Sequence, residues 1–398
     1  MSSDTAAVHR TVEAVWRMES GRIIAALTRV LRDVGTAEEL AQDALVAALE
    51  QWPREGVPDN PAAWLTAAAK HRAIDLIRRR TLHERKAGEI TFEIESQLAD
   101  AAPDLEREIE RALDDPIGDD LLRLIFISCH PVLSPEARAA MALRLLGGLT
   151  TDEIARAFLV PEPTIAQRIV RAKRTLAEAR VPFELPVGGA LAQRLASVLE
   201  VIYLIFNEGH AATAGDDWMR PALCEEALRL GRILAQRAPD EPEVHGLLAL
   251  MELTASRLRA RVGADGAPVL LMDQDRGRWD ALLIGRGLAA LARAEQLAAA
   301  QHASSLGPYA LQAAIAACHA RAARAQDTDW PRIVALYDAL AQVTPSPVVE
   351  LNRAVALSMA FGPAAGLEAV DSLRGSAALA RYPLLPAVRG DLLARLGR

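Results

Sequence analysis

The chain has 398 residues and a formal net charge of −7, and it is 51% hydrophobic but only 4% aromatic. That length suits two to three domains, and the dominance of Ala, Leu and Arg over β-branched residues predicts an all-α protein. No apolar run is expected to reach the ~20 residues that span a bilayer, the opening MSSDTAAVHRTVEAVWR lacks the apolar core of a signal peptide, and three isolated cysteines (Cys129, Cys224, Cys318) form neither a metal spacing nor a disulfide framework, so a cytoplasmic protein away from the membrane is expected.

In chain order, residues 8–33 carry Val8, Val12, Val15, Trp16, Ile23, Ile24, Leu27, Val30 and Leu31 at helical spacing, with Gly21 as the place for a break. GTAEELAQDALVAALEQW (35–52) starts a second helix, with Thr36 as N-cap and Glu39 completing a capping box. Leu40, Ala44, Leu45, Ala48 and Leu49 are expected to face inward. Pro53, Gly56 and Pro58 predict a loop, and Asn60-Pro61 restarts a helix that runs into KHRAIDLIRRR (70–80). Residues 1–86 thus read as one small helical domain. Residues 87–116 read as an acidic linker with a short helix over 104–113. Residues 117–182 read as a second helical domain: Ser134-Pro135 starts a helix, Gly147-Gly148 stops it, and Thr150 with Glu153 forms another capping box. The turn VPEP then leads to a helix bearing Ile165, Ile169, Ala172 and Leu176. Helix, tight turn and basic helix make the helix-turn-helix pattern.

Residues 187–398 read as Ala/Leu-rich helices broken by Pro and Gly. APDEPEVHGLLALMEL (238–253) resembles VTPSPVVELNRAVALSMA (343–360), and Pro239 and Pro345 lie 106 residues apart. That is near three periods of the ~34 residues of a tetratricopeptide (TPR) repeat. RVGADGAPVLLMDQDRGRWD (261–280) interrupts the pattern as a structured loop. The final DLLARLGR is expected either to cap the array or to leave it short.

The mean charge hides an asymmetry. Residues 70–86 hold seven Lys/Arg against two acids, residues 162–180 five against two, and residues 87–120 twelve acids against two Arg. Basic helices suit phosphates. Trp64 upstream of the first basic helix adds an aromatic on which an unstacked base can rest. In the second, Thr164, Gln167, Arg168 and Arg171 share a face opposite Ile165 and Ile169, the arrangement that reads base edges and grips the backbone.

Enzyme signals are missing. The sequence has no Walker loop, no GxGxxG and no GxSxG, and its eight histidines (His9, His71, His83, His130, His210, His245, His302, His319) lack metal spacing. No catalytic residue, cofactor or metal is expected. Asp273, Asp275 and Asp280 with Arg276 and Arg278 could build a small-molecule or catalytic pocket, but read better as a salt-bridged loop that packs Trp279 between helices, and GDDWMR (215–220) reads the same way.

These motifs carry a resemblance. The first 182 residues resemble bacterial extracytoplasmic-function (ECF) sigma factors, which direct RNA polymerase to promoters. AEELAQDALVAALEQW is similar to their region 2.2, NPAAWLTAAAKHRAIDLIRRR to regions 2.3 and 2.4, and LTTDEIARAFLVPEPTIAQRIVRAKRTL to region 4.2. Residues 187–398, with LMDQDRGRWDALLI and PSPVVELNRAVA, resemble the C-terminal extension of the subgroup that carries a TPR-like domain. The resemblance implies that Glu39, Gln42, Asp43 and Leu45 meet core RNA polymerase. It implies that Asp59 and Asn60 capture a base flipped from the −10 element, with Trp64, Lys70, Arg72, Arg78, Arg79 and Arg80 holding the melting strand. Thr164, Gln167, Arg168, Arg171 and Arg174 would read and grip the −35 duplex. Two positions depart from the family pattern: Pro163 stands where many members have Gly, and Ala166 where many have a basic residue. The acidic linker would run through polymerase channels that otherwise hold nucleic acid. Promoter DNA and core polymerase are the implied partners, and residues 187–398 would meet a regulator protein or the chain's own sigma domains. The rival reading is a helix-turn-helix regulator with a ligand-sensing helical domain, for which the region 2 match has no use. A TPR scaffold with a degenerate sigma module is opposed by the Arg and Gln of the recognition helix.

Overall fold

The computed structural model describes residues 3–86, 119–158, 160–186, 189–210, 219–263, 267–302, 305–376, 379 and 384–398, with backbone only at 3–6, 80–86, 119 and 189. The acidic linker, its expected helix at 104–113, the side chain of Arg80 and most of GDDWMR lie outside the described residues. Those residues are helical, with one isolated bridge between Val262 and Pro268. The chain divides into two units, residues 1–208 with 212–218, and residues 209–211 with 219–398.

In the first unit α1 (Ser3–Leu31) packs against α2 (Val34–Glu55), α3 (Pro61–Lys86), α4 (Asp119–Ser128) and α5 (Pro135–Leu145). Its stripe of Val12, Trp16, Ile23, Ile24 and Leu27 is buried. The expected break at Gly21 does not occur. A Cβ there would lie 3.2 Å from Leu121 and 3.6 Å from the Leu145 carbonyl oxygen, so this glycine serves close packing. Helix α2 starts two residues before the expected Thr36 cap, because the Asp33 carboxylate accepts from the Thr36 N–H instead. Pro53 lies inside the last turn of α2, and the chain leaves the helix only at Gly56, at φ +92°. Other sequence signals act as read. Asn60 Oδ1 accepts from the Ala63 N–H at 3.1 Å, and Ser134 Oγ from the Ala137 N–H at 3.3 Å. Thr150 and Glu153 cap one another across α6 (Thr151–Phe158) at 2.8 and 3.1 Å.

Helix α6 and α7 (Glu162–Glu178) form the helix-turn-helix, with α5 against α7. Helix α8 (Gly189–His210) lies beyond the expected boundary at 187, yet through Glu208 it belongs to this first unit. The physical reason is a polar tie: Arg138 of α5 donates to Ser197 Oγ and to Glu200 at 3.0 Å, and Arg194 donates to the Phe126 carbonyl at 2.9 Å. Contrary to the sequence expectation, the stretch Ala190–His210 is long and apolar enough to cross a membrane, but 44% of it is buried inside the protein. Val198, Val201, Ile202, Ile205 and Phe206 supply that buried side.

In the second unit eight helices stack in sequence order. These are α9 (Pro221–Arg237), α10 (Pro242–Ala255), α11 (Ala281–Ala300), α12 (Pro308–Arg321), α13 (Trp330–Val343), α14 (Pro347–Phe361), α15 (Pro363–Ser372) and α16 (Leu384–Arg395). Each packs on its neighbour in sequence, and α10 on α12 and α14 on α16 as well. Gly246 permits one such approach, since a Cβ there would lie 2.7 Å from the Ala310 nitrogen. The half-buried Glu243 carboxylate accepts from the Tyr309 and Ala310 N–H groups at 2.8 and 3.0 Å, satisfying the first turn of α12 from the neighbouring helix. The described residues of the segment over 261–280 form a loop with short turns, and two of its acids act as caps. Asp275 accepts from the Gly277 N–H at 2.9 Å, and Asp280 accepts from the N–H groups of Leu282 and Leu283 at the start of α11. Trp279 is buried, as expected.

Candidate nucleic-acid interface

Two basic helices of the first unit, α3 and α7, carry the residues singled out for nucleic acid. On α7, Ile165, Ile169, Ala172 and Leu176 are buried. At 3.6 residues per turn this leaves Thr164, Gln167, Arg168 and Arg171 on the opposite face. All four line one concavity of about 350 Å³, together with Val132, Ser134 and Thr175. Thr164, Gln167 and Arg171 are exposed and Arg168 is half-buried. Glu136 lies close to this cationic edge. Its own backbone N–H and the Ser134 hydroxyl, with Arg168 and Arg138 nearby, hold its carboxyl below the usual range. Arg174 does not line the concavity; it is exposed and pairs with Glu178 at 2.6 Å. The remaining cation of the helix, Lys173, turns inward to Glu38 of α2 at 2.5 Å.

That contact belongs to a buried cluster that sequence reasoning missed. Glu38, only 4% exposed, also takes Arg144 of α5 at 2.8 Å, and Arg144 donates onward to the Leu149 carbonyl at 3.1 Å. Around it, Trp16 Nε1 donates to the Gly148 carbonyl at 3.2 Å, Arg17 meets Glu153 at 2.6 Å, and Arg29 meets Asp120 at 3.3 Å. The helix that reads as the DNA reader is therefore tied to α2 through Lys173 and Glu38, while its apolar stripe packs on α5 and α6.

On α3, Leu65, Ala69, Ala73 and Ile74 are buried. Trp64 stands edge-on to the buried Trp52, with ring centroids 5.5 Å apart. Trp64 and Arg72 line a second concavity of about 350 Å³ with Ala47, Gln51, Ala67, Ala68 and His71. Arg72 Nη1 donates to the Ala68 carbonyl at 3.1 Å, so its guanidinium lies back along the helix. Lys70, two residues earlier and half-buried, projects to the other side. Arg78 and Arg79 are exposed one to two turns on. Asp59 and Asn60 are exposed in the loop before α3, where the Asn60 side-chain oxygen serves as its cap.

On α2, Glu39 and Asp43 are exposed and Gln42 and Leu45 half-buried, all on the side away from Ala37, Ala41, Ala44 and Ala48. The expectation that Leu49 faces inward is corrected. Leu49 is 36% exposed and Val46 is 50% exposed, so an apolar strip runs between the acids. Alanines fill the buried face because they let α1 and α2 approach closely, and the longer residues are turned outward.

The candidate chemistry is recognition. Among the described residues no cluster of three His, Cys, Asp or Glu gathers to hold a metal ion. Burial pushes the Cys129 and Cys224 thiols up to about 12, so neither is a thiolate nucleophile at neutral pH.

Comparison with known proteins gives these surfaces a family. Residues 15–82 match Sigma-70 region 2, residues 123–176 match Sigma-70 region 4, and residues 194–295 match a family of unknown function, DUF6596. The chain is 45% identical over 374 residues to the uncharacterized protein R00370 of Rhizobium meliloti (strain 1021), covering 94% of this chain and 85% of that one. It is 30% identical over 159 residues to the ECF RNA polymerase sigma factor SigK of Mycobacterium ulcerans (strain Agy99), covering 39% of this chain and 78% of that one. SigK of Mycobacterium tuberculosis (strain ATCC 25177 / H37Ra) is 28% identical over 159 residues, again 39% of this chain and 78% of its own. No solved structure matches. With both sigma-70 regions present in order and α6–α7 built as their helix-turn-helix, the chain belongs to the ECF RNA polymerase sigma factors, a family of transcription initiation factors.

Proposed function

We propose that this sigma factor binds core RNA polymerase through the outer face of α2 and recognises a −35 element through α7 and a −10 element through α3 and the loop before it. In this reading residues 1–86 form the region 2 domain and residues 117–182 the region 4 domain. Residues 87–116 are an acidic tether that follows polymerase channels, and the part of residues 187–398 that follows α8 is a TPR-like domain that modulates activity through a regulator or the chain's own sigma domains. Glu39, Gln42, Asp43 and Leu45, with the apolar strip of Val46 and Leu49, supply the polymerase contact. Asp59 and Asn60 take the flipped base, Trp64 stacks beside it, and Lys70, Arg72, Arg78, Arg79 and Arg80 hold the strand.

One observation carries the reading: Thr164, Gln167, Arg168 and Arg171 converge on a single concavity of the second helix of a helix-turn-helix. Side chains so placed suit base edges, and outlying cations such as Arg174 suit phosphates. The test is run-off transcription by core polymerase with the full chain on a library of promoters varied at −35 and −10. Selective initiation on a subset of promoters is expected. Arg168→Ala should relax the preference at one −35 position by about 1–3 kcal/mol, the worth of one good bidentate base contact. Initiation absent on every promoter, or a preference unchanged by Arg168→Ala, would count against it.

A further inference from the structure

The second unit contains a buried cluster of cationic and polar donors that the initiation role does not use. It lies where the loop over 256–280 meets the C-terminus of α12. The backbone brings the parts together: Asp280 N–H donates to the Ser256 carbonyl at 2.8 Å, and the turn at 258–260 packs on the turn at 276–278. Arg276 has one half of its guanidinium committed. Nη1 donates to the His319 and Ala322 carbonyls, the latter at 2.8 Å, and Nη2 donates to Thr328 Oγ1 at 3.3 Å. These bonds pin the last turn of α12, and the same guanidinium sits 4.8 Å over the Trp279 ring. The other half is not committed. Arg276 Nε, Trp279 Nε1 and His319 Nδ1 are all buried and have no hydrogen-bond partner among the described residues.

Arg257 is the decisive group. It is half-buried, no hydrogen bond or ion pair holds its guanidinium among the described residues, and the charge that acts on it is another cation, Arg261. Burial pulls its pKa down to about 10. Burial together with Arg257 and Arg276 pushes the neighbouring His319 down to about 4, so this imidazole is neutral at pH 7 and donates from Nδ1 in one tautomer. A half-buried cation without a counter-charge carries part of the cost of a buried one. Arg261 shows how such a residue is ordinarily settled, with its Nη1 donating to the carbonyl at the end of α8. Arg257 has no such acceptor.

We propose that Arg257, Arg276 Nε, Trp279 Nε1 and His319 together bind a small oxyanion, the phosphate or carboxylate group of a low-molecular-weight ligand. Donors without acceptors are the complement of an oxyanion, and a forked guanidinium matches its geometry. The committed half of Arg276 holds the cradle rigid and links ligand occupancy to the end of α12. The proposal stands on the second unit alone and does not depend on the promoter reading.

The test is calorimetric and thermal titration of the full chain with inorganic phosphate and, separately, with acetate, each against chloride at equal ionic strength. One of the two anions should bind saturably with a stoichiometry near one and raise the unfolding temperature by several degrees. A response to phosphate alone names a phosphorylated ligand, and a response to acetate a carboxylate. Arg257→Met should abolish the saturable binding while unfolding in chloride close to or above the wild-type temperature, because it removes an unpaired half-buried charge. Arg257→Lys, which keeps the charge but loses the fork, should weaken binding about tenfold or more and serves if the Met variant does not fold. Arg259→Ala, on the exposed side of the same turn, should bind as the wild type does. Saturable binding of neither anion, binding that survives both Arg257 variants, or a folded Arg257→Met that unfolds well below wild type in chloride would overturn the proposal.

Discussion

Glu38 of α2 ties together two other helices of the first unit, α5 and α7. It is buried between two cations from two other helices, Arg144 and Lys173, and each of these is itself less than a fifth exposed. Removing one partner of such a cluster strands the others. Glu38→Gln is therefore expected to destabilise the chain by about 3 kcal/mol, the lower end of the range for a broken buried pair because the cations retain some water. Pairing it with Lys173→Met should recover part of that loss, and urea unfolding of the single and double variants measures both. A single variant within 0.5 kcal/mol of wild type, the range usual for surface changes, would show that the cluster contributes little. None of this was legible in the sequence. Glu38 sits between Thr36 and Glu39, where local pattern suggested a capping box, and its partners lie 106 and 135 residues away. The Thr150–Glu153 box was legible because both ends of its hydrogen bonds fall within one helical turn.

At the scale of elements, periodicity read the helix faces well where the apolar side chains are large, and less well where they are small. The buried stripe of α7 is the one its Ile and Leu spacing predicts. On α2 the expected face held at Ala44 and Ala48, with Leu40 and Leu45 half-buried, but not at Leu49, because Ala37, Ala41, Ala44 and Ala48 carry the packing and Val46 and Leu49 point outward. The Pro-started helices of the second unit were legible, and α10 and α14 begin at Pro242 and Pro347, shortly after Pro239 and Pro345. The way α12 is closed off was not, since it depends on Arg276 reaching across from a loop. That closure predicts a pH response. His319 has its pKa pushed from 6.5 to about 4, first by burial and then by Arg257 and Arg276. The unfolded chain takes up this proton near pH 6.5 and the folded chain only near pH 4, so stability falls as pH drops between those values. The shift is worth on the order of 2–3 kcal/mol by pH 4. Denaturant unfolding at pH 7 and pH 5 should show the loss, and His319→Gln should make the second unit's response shallower. An equal slope in both proteins would assign the pH response to other groups, such as His210, which burial also pushes down, to about 3.

For the whole molecule, charge is the organising quantity. A chain of net charge −7 repels a phosphate polyanion on average. On the proposed reading, binding to DNA is therefore local, through α7 and α3, and its dependence on salt counts the local contacts rather than the net charge. Each phosphate neutralised contributes about −0.9 to the slope of log K against log salt. Arg174 is the cleanest place to test this. It is exposed, stands off the concavity shared by Thr164, Gln167, Arg168 and Arg171, and pairs only with Glu178 one turn on. Such an exposed pair yields readily to a phosphate. Arg174→Ala is thus expected to reduce the magnitude of the salt slope by about 1 in promoter binding by the assembled polymerase. It should weaken all promoters alike and leave the order of preference among −35 sequences unchanged. The opposite pattern, an unaltered slope with a reordered preference, would move Arg174 from the backbone to the bases and extend the reading surface along the outer edge of α7.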